Sequence, residues 1–271
     1  LDRSRYALGA TDALVALSQW AGDTYGRLRP DAKNVWHIPN GVDVALFARP
    51  AARPSNLDPA IVPRRYVLFI GRLIRKKGAD LLLDAFARLS ADDSLVLVIA
   101  GSGAEWERLH SRTNELGQAG RVRFVGWVTG DTRTYLLQNA LCCVIPSRAP
   151  EAFGLVALES YAAGCPVVAA RSAGLSDLVF EGRTGSLFEP DSVDSLVSTL
   201  TRMLQDPVRL AELATESRQF AVSYDWPLIA ERHLALYRSL LTNRSLRQNN
   251  ATTSSAHEGC RTDDHAPVAH P

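Results

Sequence analysis

The cations most suited to binding an anion lie in one loop. Between Arg64 and Lys77 the chain carries six Arg or Lys side chains and no acid, and this stretch leads into residues 71–78, Gly-Arg-Leu-Ile-Arg-Lys-Lys-Gly. Cations beside a helix N-terminus favour anions, because backbone N–H groups and the helix dipole add to their charge and Arg binds phosphate oxygens in a fork. The loop predicts a phosphate site, and a solvated basic loop is the competing interpretation.

Two carboxylates lie across the start of a predicted helix. Residues 151–159 read Glu-Ala-Phe-Gly-Leu-Val-Ala-Leu-Glu, with Glu151 just before the helix and Glu159 inside its apolar body. At 1.5 Å per helical residue their separation reaches about 12 Å, which fits the two ends of a long polar ligand with an anion between them. Each acid also has a structural explanation, since Glu151 complements the helix dipole and Glu159 could be a core acid satisfied by backbone or Arg.

Glycine turns and one acidic loop give weaker signals. Gly101 and the run Gly126-Trp127-Val128 each follow a predicted strand, and the loop 173–177 ends in Asp177. Glycine lets a ligand approach the backbone closely, but most strand–helix junctions carry one. The six His and four Cys show no metal-ligand spacing, so no metal is predicted.

Alternating elements must position these residues. Apolar runs typical of strands buried on both faces alternate with helical periodicity, which predicts an α/β fold with a Rossmann-like, doubly wound parallel sheet. Such sheets bind ligands beyond the carboxyl ends of their strands. The predicted strands are 66–70, 95–100, 122–125, 141–145 and 166–170, and the predicted helices are 79–89, 105–116, 132–138, 155–163, 193–204, 207–220 and 227–241.

The rest of the chain flanks this domain, which is predicted over residues 64–223. Residues 1–45 hold a strand, a helix over 19–28 and a second strand, and the proline-rich stretch 46–63 is interpreted as a linker. Residues 224–242 contain the last predicted helix. Residues 243–271 are polar and rich in Ser, Thr and Asn, so a disordered tail is expected.

Composition excludes several classes of protein. The 271 residues carry a net charge of +1, which provides no basic field for nucleic acid. The longest apolar runs, such as residues 165–170, fall far short of the roughly 20 residues that span a bilayer. Without a visible signal peptide or a disulfide framework, the sequence predicts a cytoplasmic protein.

The order and spacing of the motifs resemble the GT-B glycosyltransferases of family 4, over about residues 11–241. The matching residues are Pro39-Asn40-Gly41-Val42-Asp43 with Phe47 for the interdomain segment, Gly71-Arg72 with Lys77-Gly78 for the phosphate loop, and Glu151 with Glu159 for the E-x7-E signature. The resemblance implies that 64–223 is the C-terminal, donor-binding domain. It also implies that 1–45 is the end of an N-terminal acceptor domain and that the helix in 224–242 crosses back.

The resemblance implies roles for individual residues. Glu151 would be the catalytic carboxylate near the anomeric carbon of the donor sugar, and Glu159 would bind the ribose hydroxyls. The residues implied for the diphosphate are Arg72, Lys77, Phe153, Gly154 and Leu155. Those implied for the nucleobase are Gly101, Gly126, Trp127 and Val128. The family's Gly-Gly-x-x-Glu loop is altered here, ending in Asp177, which is one methylene shorter.

The implied activity is that of a retaining, metal-independent hexosyltransferase. It would need no cofactor, would use a UDP- or GDP-sugar as co-substrate and would act on a hydroxyl of a lipid, polysaccharide or small metabolite. Peripheral contact with the inner membrane face fits a lipid acceptor. Two alternatives stay open: a non-catalytic nucleotide-sugar binding module or subunit, and another GT-B-like enzyme such as a nucleotide-sugar epimerase or a sugar phosphorylase.

Overall fold

A computed structural model describes residues 11–28, 34–89 and 94–258, with the backbone alone from 243 onward. The strands are β1 (Leu14–Ala16), β2 (Val35–His37), β3 (Tyr66–Ile70), β4 (Val96–Ala100), β5 (Val122–Gly126), β6 (Cys142–Ile145), β7 (Val167–Ala170) and β8 (Gly185–Phe188). The helices are α1 (Gln19–Leu28), α2 (Val44–Ala48), α3 (Ala79–Ala87), α4 (Trp106–Glu115), α5 (Gly130–Asn139), α6 (Leu155–Ala162), α7 (Ala173–Leu178), α8 (Val193–Leu204), α9 (Pro207–Val222) and α10 (Trp226–Glu258).

Six of the strands form one parallel sheet in the order β5-β4-β3-β6-β7-β8. From β3 the chain adds β4 and β5 on one side, then crosses back to add β6, β7 and β8 on the other. The predicted doubly wound α/β sheet is therefore confirmed. The loops after β3 and β6 leave in opposite directions at this reversal, which is the place where such sheets open a crevice for ligands.

Each face of the sheet packs in its own apolar core. Leu68 and Ile70 of β3 point to the core that includes α6, whereas Val67 and Phe69 point to the core that includes α3 and α8. Neighbouring residues of a strand face opposite sides, so a strand covered on both faces must be apolar throughout. This explains why β3 is buried at every position.

A small parallel sheet, β1 with β2, precedes the main one and is joined by α1. The stretch expected to be a linker from residue 46 onward contains the end of α2 and packs onto the main domain. Leu57 and Ile61 are buried in the core, and the Arg53 guanidinium donates to the Ile61 carbonyl oxygen at 2.6 Å. Asp43 starts α2 by accepting from the Leu46 N–H at 2.8 Å, in a helix too short to show periodicity.

Three elements were absent from the sequence prediction: the short helix α2, helix α7 and strand β8. Helix α7 lies where a loop was predicted, and β8 was missed because it is short and begins with Gly185. A Cβ at Gly185 would lie 1.9 Å from the Val167 carbonyl oxygen, so glycine allows β8 to approach β7. The weak strand character of β8 is thus a consequence of close backbone packing.

The last helix runs further than predicted. It continues to Glu258 instead of ending at residue 241, because no Gly or Pro interrupts the chain between Pro227 and Gly259. The predicted disorder from residue 243 therefore differs from the helical backbone found up to Glu258, and residues 259–271 lie outside the described residues. The described helices include none that is both long enough and apolar enough to cross a bilayer.

We predict that Gly185→Ala lowers the free energy of unfolding by about 1–3 kcal/mol, the usual cost of overpacking. The added methyl group must displace the Val167 carbonyl and thereby disturb the pairing of β7 with β8. Denaturant unfolding measures the change. Gly120→Ala is the matched control, since nothing lies within 4 Å of its added Cβ. Equal effects of the two substitutions would contradict the packing argument.

Candidate functional site

A cavity of about 570 Å³ opens at the reversal of the sheet. Its floor includes Ile70 at the end of β3 and Ile145 at the end of β6, and its rim includes the loops that follow these strands. Leu17 and Asn40, which come just after β1 and β2, complete the wall. The cavity therefore combines the carboxyl ends of strands from both sheets, and this position is typical of ligand sites in open α/β folds.

The structure brings the predicted site residues together with one exception. The lining includes Arg72, Lys77, Gly101, Trp127, Val128, Glu151, Phe153, Gly154, Leu155 and Glu159. Gly126 is absent from the lining; it ends β5, and its carbonyl accepts a hydrogen bond from the Gly101 N–H at 2.7 Å. Its place is therefore behind the wall, where it supports Gly101. The chemical roles of all these residues remain predictions.

Backbone contacts shape the basic loop after β3. Buried Leu73 anchors it, with its N–H donating to the Ser102 carbonyl at 2.8 Å. The chain then forms a single 3₁₀ turn, Arg75–Lys77, and Gly78 follows with φ of 70°. A Cβ at Gly78 would lie 1.9 Å from the Pro146 carbonyl oxygen, so only glycine lets this turn pack against the loop after β6. The result is that Lys77 and exposed Arg72 both line the cavity.

Lys77 forms an ion pair with Glu151. Its ammonium group contacts Glu151 Oε1, and the Ser147 hydroxyl donates to the same oxygen at 2.5 Å. Among the described residues, no carboxylate forms an ion pair with Arg72. Lys77 is thus already neutralised by Glu151, while Arg72 is available to an anion.

The N-terminus of α6 opens towards the same cavity. Gly154 begins the helix with φ of 102° and provides no side-chain cap, so the first N–H groups have no side-chain acceptor there. Phe153, Gly154 and Leu155 all line the cavity. Free amides and the helix dipole favour an anion at such a position.

The loop 151–154 is held from two directions. The Gly174 N–H of α7 donates to the Glu151 carbonyl at 2.9 Å, and the buried Ser18 hydroxyl donates to the Ala152 carbonyl at 2.6 Å. A Cβ at Gly174 would lie 2.6 Å from the Ala152 carbonyl oxygen, so glycine permits this close approach. These contacts fix the backbone that carries Glu151.

Asp177 has a structural contact instead of a place in the cavity lining. Its Oδ2 accepts from the Trp20 N–H at 3.1 Å, and Ser18 Oγ accepts from the Ala21 N–H at 3.2 Å. The two side chains together cap the N-terminus of α1. Asp177, the shorter acid near the end of α7, therefore ties the first strand–helix–strand unit to this helix.

Glu159 lies at another part of the cavity wall, one turn into α6. Its carboxylate forms an ion pair with Arg133, a cation of α5 that sequence reasoning missed. Burial raises the pKa of the Glu159 carboxyl above its ordinary value, and the Arg133 guanidinium acts in the opposite direction. The ion pair matches the structural explanation of Glu159, a core acid satisfied by an Arg. Measurements of ligand binding are therefore needed to separate this explanation from a role in ribose binding.

Three lining residues with polar side chains had no predicted role: Asn40, Arg133 and Ser147. Asn40 belongs to a recognised motif, and Ser147 lies just after β6, so both could have been found from their places at strand ends. Arg133 carries one sequence signal, because a cation in the first turn of a helix opposes the dipole. In the described part of the chain, no group of three or more His, Cys, Asp or Glu side chains could hold a metal ion.

Known proteins share the sequence pattern. Residues 59–220 match the family described as glycosyl transferases group 1. The D-inositol 3-phosphate glycosyltransferase of Acidothermus cellulolyticus is 33% identical over 89% of this chain and 57% of that protein. The glycogen synthase of Mycobacterium tuberculosis is 32% identical over 88% of this chain and 56% of that protein. The chain therefore spans a little over half the length of the curated relatives it matches.

Solved structures share the fold. Sucrose-phosphate synthase from Thermosynechococcus elongatus gives a TM-score of 0.75 at 30% identity, covering 89% of this chain and 61% of that one. Anabaena HepE, solved in complex with UDP and glucose, gives a TM-score of 0.75 at 24% identity, covering 87% and 65%. At 24% identity, the likeness to HepE concerns the fold alone.

We predict that Ser18→Ala speeds amide hydrogen exchange in residues 151–154. The substitution removes the donor to the Ala152 carbonyl, a contact worth about 0.5–1.5 kcal/mol, and local opening becomes easier. Exchange followed by mass spectrometry measures the effect. Thr24→Ala is the control, since it removes a 2.8 Å bond to the Trp20 carbonyl within α1 itself. Unchanged exchange in 151–154 would show that α7 alone holds the loop.

Proposed function

The chain belongs to the glycosyl transferases group 1 family, and from that premise we propose that it binds a nucleotide-diphosphate sugar and serves its transfer to an acceptor hydroxyl. One observation carries the proposal. A single cavity at the sheet reversal contains three cations, an uncapped helix N-terminus and two carboxylates on the same helix–loop segment. The cations and the helix N-terminus suit a diphosphate. The two carboxylates suit the hydroxyl-bearing sugars on either side of it.

The proposed diphosphate site consists of Arg72, Lys77 and the amides of Phe153, Gly154 and Leu155. Lys77 has three N–H donors, so it can contact a phosphate while it keeps its contact with Glu151. The charge that develops on the leaving diphosphate is stabilised by these fixed donors and by the dipole of α6. We therefore propose a metal-independent reaction.

Glu151 is the proposed catalytic carboxylate. Ser147 and Lys77 both contact its Oε1, which orients the group beside the start of α6. It accepts hydrogen bonds from donor-sugar hydroxyls and stabilises positive charge near the anomeric carbon. The acceptor hydroxyl attacks from the leaving-group face and its proton passes to the departing phosphate, so the configuration is retained, as in the E-x7-E enzymes of family 4.

The proposed nucleoside end lies around Glu159. Its carboxylate accepts from the ribose hydroxyls, while Gly101, Trp127 and Val128 flank the base, with Gly126 behind them. Trp127 is 60% exposed at this end of the cavity, so its ring is free to stack on a base. UDP is the first nucleotide to test and GDP the second.

The domain roles belong to the same proposal. Residues 64–223 form the donor-binding domain, 46–63 connect it to residues 1–45 at the end of the acceptor domain, and 224–242 hold the first part of the last helix, followed by the tail 243–271. The acceptor is a lipid, polysaccharide or small metabolite. We propose a cytoplasmic location, with peripheral membrane contact where the acceptor is a lipid. Because the chain spans only part of its relatives, a binding module without transfer activity is the second candidate.

Titration calorimetry with UDP, GDP and ADP, without added metal, tests the donor site first. Micromolar or tighter binding of one nucleotide supports the proposal and identifies the base. No binding by any of the three would contradict it. Incubation with the matching nucleotide sugar and candidate acceptors then separates a transferase from a binding module, because only the transferase yields a glycosylated product.

We predict that Arg72→Ala weakens UDP binding by about 1.5–3 kcal/mol, the range for a hydrogen bond to a charged group, and leaves uridine binding nearly unchanged. The difference arises because the proposed contact of Arg72 is with the phosphates and not with the nucleoside. Calorimetry with both ligands measures it. Arg75→Ala is the control, since Arg75 is exposed and absent from the cavity lining. Equal losses for UDP and uridine would remove Arg72 from the phosphate site.

We predict that Glu159→Gln weakens UDP binding more than 2′-deoxy-UDP binding, because only the ribonucleotide offers the 2′-hydroxyl to the carboxylate. The expected difference is about 1 kcal/mol, a typical value for one hydrogen bond. Competition titration of the two nucleotides measures it. Glu107→Gln on the exposed surface of α4 is the control. The same loss for both nucleotides would make Glu159 a structural acid.

A further inference from the structure

Resting on the proposed nucleotide site, we infer that Arg133 is a positioning residue that fixes one oxygen of the Glu159 carboxylate and leaves the other to the ribose diol. The guanidinium of Arg133 contacts Glu159 Oε2. Both side chains line the cavity and are about equally accessible, 20% and 22% exposed. Within the described part of the chain, no hydrogen bond reaches Glu159 Oε1, so this oxygen is the one available to a ligand.

The stability of α5 does not explain why an Arg occupies position 133. The residue lies in the first turn, where the helix dipole disfavours a cation, and Thr129 provides no side-chain cap there. Its Nε is buried and has no hydrogen-bond partner among the described residues. A buried unpaired donor costs free energy. Arg133 is therefore kept in an unfavourable place for its own helix, and its one strong contact is the carboxylate of the proposed ribose site.

Arg133 also sets the charge of that carboxylate. Burial raises the pKa of Glu159 and Arg133 opposes the rise, so removing the cation raises the pKa further. The Cys143 thiol of β6 also interacts electrostatically with both members of the pair, and burial raises its pKa to about 11, so it stays neutral around pH 7. A protonated Glu159 accepts ribose hydroxyls less well. Without Arg133, nucleotide binding must weaken as the pH falls.

The opposite result is also physically defined. If the ion pair had to break before the ribose could enter, Arg133 would compete with the ligand and its removal would tighten binding. If Arg133 only packed against α6, its removal would weaken binding by the same factor at every pH. The pH profile of binding therefore separates positioning from both other roles.

The experiment titrates UDP-glucose, and GDP-glucose as a second probe, into the full chain at pH 8 and pH 6. A sugar diphosphate lacks the terminal phosphate group that titrates near pH 6, so the ligand itself adds no pH dependence. Arg133→Leu should bind about ten-fold more weakly at pH 8 and at least about three-fold more weakly again at pH 6. Wild type and Arg133→Lys, which keeps the charge, should change less than about two-fold between the two pH values.

Arg88→Leu is the matched control, because it breaks the exposed ion pair with Asp194 and should bind like wild type. If thermal unfolding shows that Arg133→Leu is not folded, Arg133→Gln replaces it and should show the same pH dependence. Binding by the uncharged variant that equals wild type, exceeds it, or is reduced equally at both pH values overturns the inference. If the wild-type protein binds neither probe, and binds no other nucleotide, the proposed function itself fails. That result differs from a failure of the inference about Arg133, which requires wild-type binding.

Discussion

The place of strand β3 in the sheet determines where the cavity forms, because β3 is hydrogen-bonded to a parallel neighbour on each side. Parallel neighbours require crossover connections, and those that follow β3 must run in both directions to place β4 on one side and β6 on the other. The loops after β3 and β6 therefore separate, and a cavity forms where neither covers the sheet. The basic loop and loop 151–154 meet across this gap because of the topology, although they are far apart in the sequence.

Two of the three cations that line the cavity are paired with carboxylates before any ligand arrives. Lys77 with Glu151 and Arg133 with Glu159 form two partly buried ion pairs, which limits the cost of holding carboxylates out of water. Arg72 and the first amides of α6 add positive potential that no carboxylate of the described residues offsets by an ion pair. An arrangement of this kind favours a ligand with negative charge at its centre and hydroxyl groups at its ends.

Sequence reasoning predicted the strong elements well and the weak ones poorly. The bounds of α1, β3 and α8 agree with prediction, because apolar periodicity and turn residues mark them clearly. Strand β8 and helix α7 escaped because both are short and depend on glycines that allow close backbone contact, a property of tertiary structure. The cavity residues at strand ends followed from the fold class, whereas the pairing of Arg133 with Glu159 depended on which face of α5 meets α6; a cation in the first turn of α5 signals only an unfavourable position and does not identify its partner.

The contact between Ser18 and the Ala152 carbonyl limits where the chain can be divided. Leu17 and Asn40 form part of the cavity wall, Asp177 caps α1, and Val42 donates its N–H to the Tyr224 carbonyl at 2.8 Å. A version of the protein that starts at residue 46 would keep the whole six-stranded sheet and yet lose one wall of its cavity. The boundary of the folded domain and the boundary of the site are therefore different places in this chain.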